Sequence, residues 1–231
     1  MSTPDFGNSA GNSAGNSAGN NAGTTGSGTT RTLAVVTGGL SVPSSSRLLA
    51  DRLTAATVAA LERRGLSATT EVVELREYAR DLADNLVTGF ANAKLRAAVD
   101  TVAGADGLIA VTPVFAASYS GLFKTFFDVL DADSLAGTPV LLGATAGTPR
   151  HSLVLEYAMR PLFGYLKAVP VTTAVFAAGD DWSGGGDGVA LSDRVDRAAG
   201  ELADLVAARP QAGREDPFGS VLSFEALRRS L

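Results

Sequence analysis

From Arg31 onward, short runs of β-branched and aliphatic residues alternate with longer stretches whose apolar residues recur every three or four positions. The short runs predict strands over Thr32 to Thr37, Thr70 to Leu75, Gly107 to Thr112, Pro139 to Thr145 and Val171 to Phe176. The longer stretches predict helices over Ser46 to Arg64, Ala93 to Val102, Gly121 to Leu130, Ser152 to Lys167 and Leu191 to Ala208. In the first of these, Leu49, Leu53 and Ala56 or Ala60 share one face, Arg47, Asp51 and Arg63 stay outside, and Gly65 ends the helix. Only Arg76 to Asn92 lacks a clear period. It mixes charge with Tyr78, Gly89 and Phe90 and reads as a helix followed by a loop. Strands alternating with helices predict an α/β domain with a parallel sheet and crossover connections.

The chain's two ends break the pattern. Residues 1 to 30 contain GNSA three times, then GNNA, then a Gly/Thr/Ser run. Phe6 is their only bulky apolar residue after Met1, too little to offset the entropy of ordering them, so a disordered tail is expected. It has neither the basic start nor the apolar segment of a secretory leader. Residues 209 to 231 begin with Arg-Pro and carry Phe218, Val221, Leu222, Phe224 and Leu227 at loose helical spacing. They predict an arm docked on this subunit or a neighbour. Residues 31 to 208 remain as one domain large enough to bury a core.

Charge and cysteine content narrow the chemistry. Twenty-four acidic against 19 basic residues give a net charge of −5, with no basic cluster to track a phosphate backbone, so nucleic acid is not an expected partner. No run is long and apolar enough to predict a membrane span. Cysteine is absent, which removes disulfides and thiolate nucleophiles and fits a cytoplasmic location. Any redox chemistry therefore requires a bound cofactor.

Two strand ends stand out. The run Gly107 to Val111 opens into Thr112-Pro113-Val114-Phe115-Ala116-Ala117-Ser118-Tyr119-Ser120-Gly121 before a helix begins. Ligands bind at such carboxyl ends in α/β sheets. This loop has backbone amides, small side chains and one aromatic, but no acid, histidine or cysteine; it suits a flat ring better than acid-base work. The first strand ends in Thr37-Gly38-Gly39-Leu40-Ser41-Val42-Pro43-Ser44-Ser45-Ser46-Arg47. Glycines permit a tight turn, and hydroxyls precede a helix whose N-terminus holds unpaired N–H groups and partial positive charge. That is a seat for a phosphate monoester, with Arg47 adding charge. Capping alone accounts for one serine, while Ser41, Ser44, Ser45 and Ser46 exceed what a cap requires. Neither a P-loop nor a GxGxxG fingerprint is present here.

With a third turn at Ala144-Thr145-Ala146-Gly147-Thr148, followed by Arg150-His151, these segments make the chain resemble NAD(P)H-dependent FMN reductases of the flavodoxin-like class. It is similar in particular to those that supply reduced FMN to two-component, luciferase-like monooxygenases. The resemblance covers about residues 31 to 208 and implies a three-layer sandwich around a five-stranded parallel sheet in the order 2-1-3-4-5. It implies that FMN phosphate sits at Ser41, Ser44, Ser45, Ser46 and Arg47. The ring is implied against Pro113, Val114 and Phe115, near Ser118, with Ala146, Gly147 and Thr148 closing its other edge. NADPH or NADH is the implied donor, and a homo-oligomer and a partner monooxygenase are implied associates. Relatives often have Tyr where Phe115 stands, so shape alone should serve there.

Hydride transfer between two cofactors needs proximity and orientation more than a general acid, so no catalytic side chain is expected. His151 is the only histidine and cannot anchor a typical transition-metal site alone. It reads as a packing residue or as a donor beside the flavin. Trp182 reads as local packing or as a flavin contact. Rival readings are a flavodoxin-like electron carrier and an azo or quinone reductase using the same site.

Overall fold

The computed structural model describes residues 30–182 and 190–210. Residues 1–29 and 211–231 lie outside them, so the expected tail and nearly all of the expected arm do as well. The strands are β1 (Thr30–Thr37), β2 (Ser67–Glu74), β3 (Gly107–Phe115), β4 (Ser118–Tyr119), β5 (Pro139–Thr145), β6 (Val169–Pro170) and β7 (Val175–Ala177). The helices are α1 (Ser45–Glu62), α2 (Ala79–Thr88), α3 (Ala93–Ala103), α4 (Gly121–Asp128), α5 (Arg160–Tyr165) and α6 (Leu191–Ala208).

The main sheet runs β2-β1-β3-β5-β6, all parallel, with β7 also on β5 and β4 folded back antiparallel on β3. Counting only the main strands, this is the expected 2-1-3-4-5 order. Alternation along the inner strands divides the core into two layers. Leu33, Val35, Ile109 and Val111 face α1 and α6, while Ala34, Val36, Leu108 and Ala110 face α2 to α5. Both faces are covered, so β1, β3 and β5 are almost continuously buried, whereas edge strand β2 exposes most of its residues.

Beneath β3, Phe123, Phe126 and Phe127 of α4 meet Phe163 of α5. Phe127 stacks 4.7 Å from Phe123 and 4.9 Å from Phe163 between centroids. Each such ring contributes about 1.5–3 kcal/mol by burial, and the cluster supports the loop above it.

One stretch of unclear period folds as a helix followed by a loop, and two local features depart from the sequence pattern. The stretch Arg76 to Asn92 becomes a 3-10 turn and α2, ended by Gly89 at φ 76° with its N–H on the Asn85 carbonyl. The helix expected over Ser152 to Lys167 is divided into a π-helical turn, Leu155–Met159, and the short α5. The expected fifth strand, Val171 to Phe176, forms only at its end as β7, with the short β6 ending just before it. Between them Arg160 donates to the Val171 and Thr172 carbonyls, and Glu201 accepts from the Thr173 N–H and hydroxyl. Side chains there replace the ladder partners that a continuous strand would have had.

Candidate active site

Strand β1 has β2 on one side and β3 on the other, so the connections leaving it and β3 run in opposite directions along the sheet. Such a switch point leaves a crevice at the strands' carboxyl ends. A cleft of about 470 Å³ lies there, formed by the turns after β1, β3, β5 and β7. That volume is within the range of small-molecule sites.

The turn after β1 is built by close approach. Gly38 extends the ladder by donating to the Val111 carbonyl at 2.8 Å. A Cβ at Gly39 would stand 2.0 Å from Ser44 Oγ, so only glycine lets the chain fold against the start of α1. Ser44 is the N-cap, its Oγ accepting from the Arg47 N–H at 3.2 Å. Ser41 Oγ donates to the Pro43 carbonyl, and Ser46 Oγ shares a buried bond of 2.7 Å with Thr145 Oγ1. Ser45 is exposed, lines the cleft and takes no part in these bonds. The first turn of the 18-residue α1 contains no acid, so nothing of its own offsets the helix's positive end.

Arg47 is placed differently from the serines. Its guanidinium meets Asp51 at 2.8 Å and also Glu74, beside a smaller hollow that shares Ser41 and Ser44 with the cleft. The Asp51 hydrogen bond, with the charges of Asp51 and Glu74, holds Arg47 above its ordinary pKa. Arg76 bonds Glu74 at 2.7 Å and reaches the Ser41 carbonyl at 3.4 Å, tying the turn to the end of β2.

The second wall is the extension of β3, which contributes Pro113, Val114 and Phe115. This strand runs three residues past Thr112 and reverses through Ala116-Ala117 into β4, with Phe115 paired to Ser118 and Val114 to Tyr119. Both alanines have positive φ, 46° and 65°, in a two-residue hairpin where Asn-Gly is the usual choice. That conformation costs an L-residue roughly 1–2 kcal/mol. Thr112 Oγ1 accepts from Ser120 N–H, and Ser120 Oγ caps α4 by accepting from Phe123 N–H, anchoring the hairpin's return. Phe115 is left half exposed, while Ser118 lies behind it and does not line the cleft.

The third wall is Thr145, Ala146 and Gly147, with Ala146 N–H bonded to the Ala177 carbonyl at 3.2 Å. Thr148 caps the 3-10 turn Pro149–His151 and stands outside the lining, as does His151. Of the sequence-predicted residues, then, the structure brings together Ser41, Ser44, Ser45, Ser46, Pro113, Val114, Phe115, Ala146 and Gly147, but not the side chains of Arg47, Ser118 and Thr148. It adds Gly39, Leu40, Thr145, Gly179 and Trp182. Gly39, Leu40 and Thr145 lay within the turn segments already singled out, Trp182 was read as packing or as a flavin contact, and Gly179 carried no signal beyond its place after a strand.

Among the described residues, none lining the cleft has an ionisable side chain. Hydroxyls and an acid-free helix end occupy one part; backbone, proline and aromatic surface occupy another. Such a site binds a flat ring bearing a phosphate and leaves the reactive chemistry to that ring. The residues therefore fit FMN, and with the strand order they define a flavodoxin-like flavin-binding protein. More narrowly, the chain belongs to the NADPH-dependent FMN reductase family, whose model matches residues 31–183.

Individual proteins agree. The chain is 39% identical over 150 residues to an FMN reductase (NADPH) of Pseudomonas aeruginosa, covering 65% of this chain and 78% of that protein. It is 40% identical over 146 residues to an NADH-dependent FMN reductase of Pseudomonas putida, covering 63% and 76% respectively. A crystal structure of an oxidoreductase from Corynebacterium diphtheriae superposes with a TM-score of 0.74 at 46% identity, covering 78% of this chain and 99% of that one.

Proposed function

We propose that the chain is an NAD(P)H:FMN oxidoreductase whose serine-rich turn holds the FMN phosphate and whose β3 extension carries the ring. The observation that carries this reading is the juxtaposition of an acid-free helix N-terminus, lined by Ser41, Ser44 and Ser45, with the Pro113–Phe115 backbone in one cleft whose described lining residues carry no ionisable groups. When bound, FMN supplies the hydride-accepting centre, and NADPH or NADH supplies the hydride.

The chain's own residues bind, orient and exclude water. Ser44 Oγ accepts from α1 and so keeps its proton for a phosphate oxygen, while Ser45 has both its proton and its lone pairs available. Ser46 holds the turn through Thr145, and Arg47 keeps a guanidinium, shared with Asp51 and Glu74, beside the same turn. Pro113, Val114 and Phe115 present one face for the ring, Ala146 and Gly147 close its edge, and Ser118 and Thr148 support those two walls from behind. Positioning of two cofactors in one cleft is itself a large kinetic factor.

The reduced FMN is released to a flavin-dependent monooxygenase in this reading, the exposed half of Phe115 leaving the cleft open on that side. The enzyme is cytoplasmic and a homo-oligomer, consistent with the exposed Leu86, Val87 and Phe90 at the end of α2 and Tyr157 and Tyr165 around α5. Among the described residues no helix is long and apolar enough to cross a membrane.

The test is steady-state oxidation of NADPH and of NADH, with and without added FMN, followed by nicotinamide absorbance. FMN-dependent turnover with at least one nucleotide is expected. Its absence with both would overturn the reading.

A further inference from the structure

The 3-10 turn Gly179–Trp182, after β7, places Gly179 and Trp182 on the cleft. It rests against the third turn, since a Cβ on Gly179 would approach the Gly147 carbonyl to 3.3 Å. Two arginines from the two helices of one layer converge on it. Arg194 of α6 donates through Nη1 to the Phe176 carbonyl and pairs through Nη2 with Asp181. The second oxygen of Asp181 accepts from Ala178 N–H at 2.7 Å. From α1, the Arg52 guanidinium carbon lies 5.0 Å from the centroid of the Trp182 ring.

The indole is thus constrained from two directions. Its backbone is clasped to α6 through Asp181, and Arg52 covers its ring by a cation–π contact while it packs on the α1/α6 layer of the core. The surface left over lines the cleft. The Arg194–Asp181 pair is only partly withdrawn from water and gains little net stability from its charges, so its value lies in the geometry it imposes on the turn. That geometry sets one of the two aromatic surfaces, with Phe115, that the described residues give a cleft otherwise lined mostly by small residues.

We propose that Trp182 directly contacts the mononucleotide held in the cleft, and that Arg194 and Asp181 are positioning residues that set its indole. The proposal rests on the FMN reductase reading. Trp182 covers part of the bound nucleotide and keeps water from it, without touching a proton in the reaction.

Trp182 is the only tryptophan of the chain, so its emission reports this turn directly. Acrylamide quenching is measured with fluorescence lifetimes, so that energy transfer to flavin is not mistaken for shielding. Saturation with FMN should lower the bimolecular quenching constant severalfold. Trp182→Ala should raise KM for FMN roughly tenfold with a much smaller change in kcat, and Trp182→Phe should recover most of the loss. Arg194→Ala should make the indole of the free enzyme more accessible to acrylamide and raise KM likewise, with Arg194→Lys partly restoring both. A quenching constant unchanged by FMN, or a Trp182→Ala enzyme with wild-type KM, would overturn the proposal. Should Arg194→Ala fail to fold, the Trp182 variants decide. Wild-type protein that binds FMN with shielding of Trp182 but oxidises neither nucleotide would sink the reductase reading and leave this contact standing.

Discussion

The hydroxyl of Ser46 lies 2.7 Å from that of Thr145, joining the first turn of α1 to the last residue of β5 across 99 positions of sequence. Both residues are buried, and the bond forms part of the cleft's floor. It gives the four serines of the β1–α1 turn unequal duties. Ser46 fastens the turn to the sheet, Ser44 caps the helix, Ser41 closes the turn on Pro43, and Ser45 remains open to the cleft.

Ser45→Ala and Ser46→Ala should therefore separate. Ser46→Ala leaves Thr145 without its partner in a buried place and should cost about 1–3 kcal/mol in urea denaturation. Ser45→Ala should change stability by less than about 0.5 kcal/mol, as exposed substitutions do. Its effect should appear as a higher KM for FMN with KM for riboflavin unchanged. Equal losses for the two flavins would show that the phosphate does not sit there.

Arg47→Ala with Ser45→Ala should weaken FMN far more than riboflavin, because the double variant removes a hydroxyl and a cation while freeing the Asp51 carboxylate and leaving Glu74 to Arg76 alone beside the turn. Isothermal titration with each flavin reads the difference, expected at roughly tenfold or more for FMN.

Gly39→Ala tests the close approach. A methyl at 2.0 Å from Ser44 Oγ cannot be accommodated without moving the cap. Loss of about 1–2 kcal/mol of stability, the usual size of a lost N-cap, should accompany a raised KM for FMN. Thermal denaturation and steady-state kinetics check the two parts.

Ala117→Gly should stabilise the protein by about 1 kcal/mol, since φ is 65° and glycine relieves the left-handed strain. If the strained hairpin holds Phe115 in place, turnover should fall as stability rises. Denaturant midpoints and kcat measured on the same preparation reveal that opposition.

Glu156 offers a prediction in pH. Its carboxyl accepts two hydrogen bonds from Arg160, chiefly for that reason lying below the ordinary glutamate pKa. A lowered folded-state pKa contributes stability above the unfolded value and loses it as pH falls through the folded one. Carboxyl NMR should place the Glu156 titration below that of free glutamate. The stability gap between wild type and Glu156→Gln should be steady near neutrality and close in acid, remaining small because the pair is solvent-exposed.

Much of this site was legible along the chain because it is made from contiguous turns. The serines after β1 and the Pro113–Phe115 run each follow a strong aliphatic strand, and strand ends are where such sheets bind ligands. Arg47 shows where that reading was incomplete. Its position at the start of α1 and its i+4 partner Asp51 on the same helix are plain in sequence, but Glu74, which also engages its guanidinium, becomes its neighbour only when α1 and β2 pack. Trp182 is similar: nothing near it in sequence indicates Arg52 or Arg194, which approach from α1 and α6. The shortened fifth strand also escaped, because Arg160 and Glu201 satisfy its backbone from outside the strand.

By itself, the sequence determined the alternation of strand and helix and the turns that build the cleft, while the order of the main strands was implied by its resemblance to a family. The alternation and the turns follow from local propensity and from the near-continuous burial of the inner strands, information carried within a few positions. Tertiary structure alone decided which hydroxyl is free, which arginine is engaged, how the Ala116-Ala117 hairpin bends and what holds Trp182. The deciding contacts, Ser46 with Thr145, Arg47 with Glu74 and Trp182 with Arg52, join residues far apart in sequence, and no local pattern encodes them or a backbone angle.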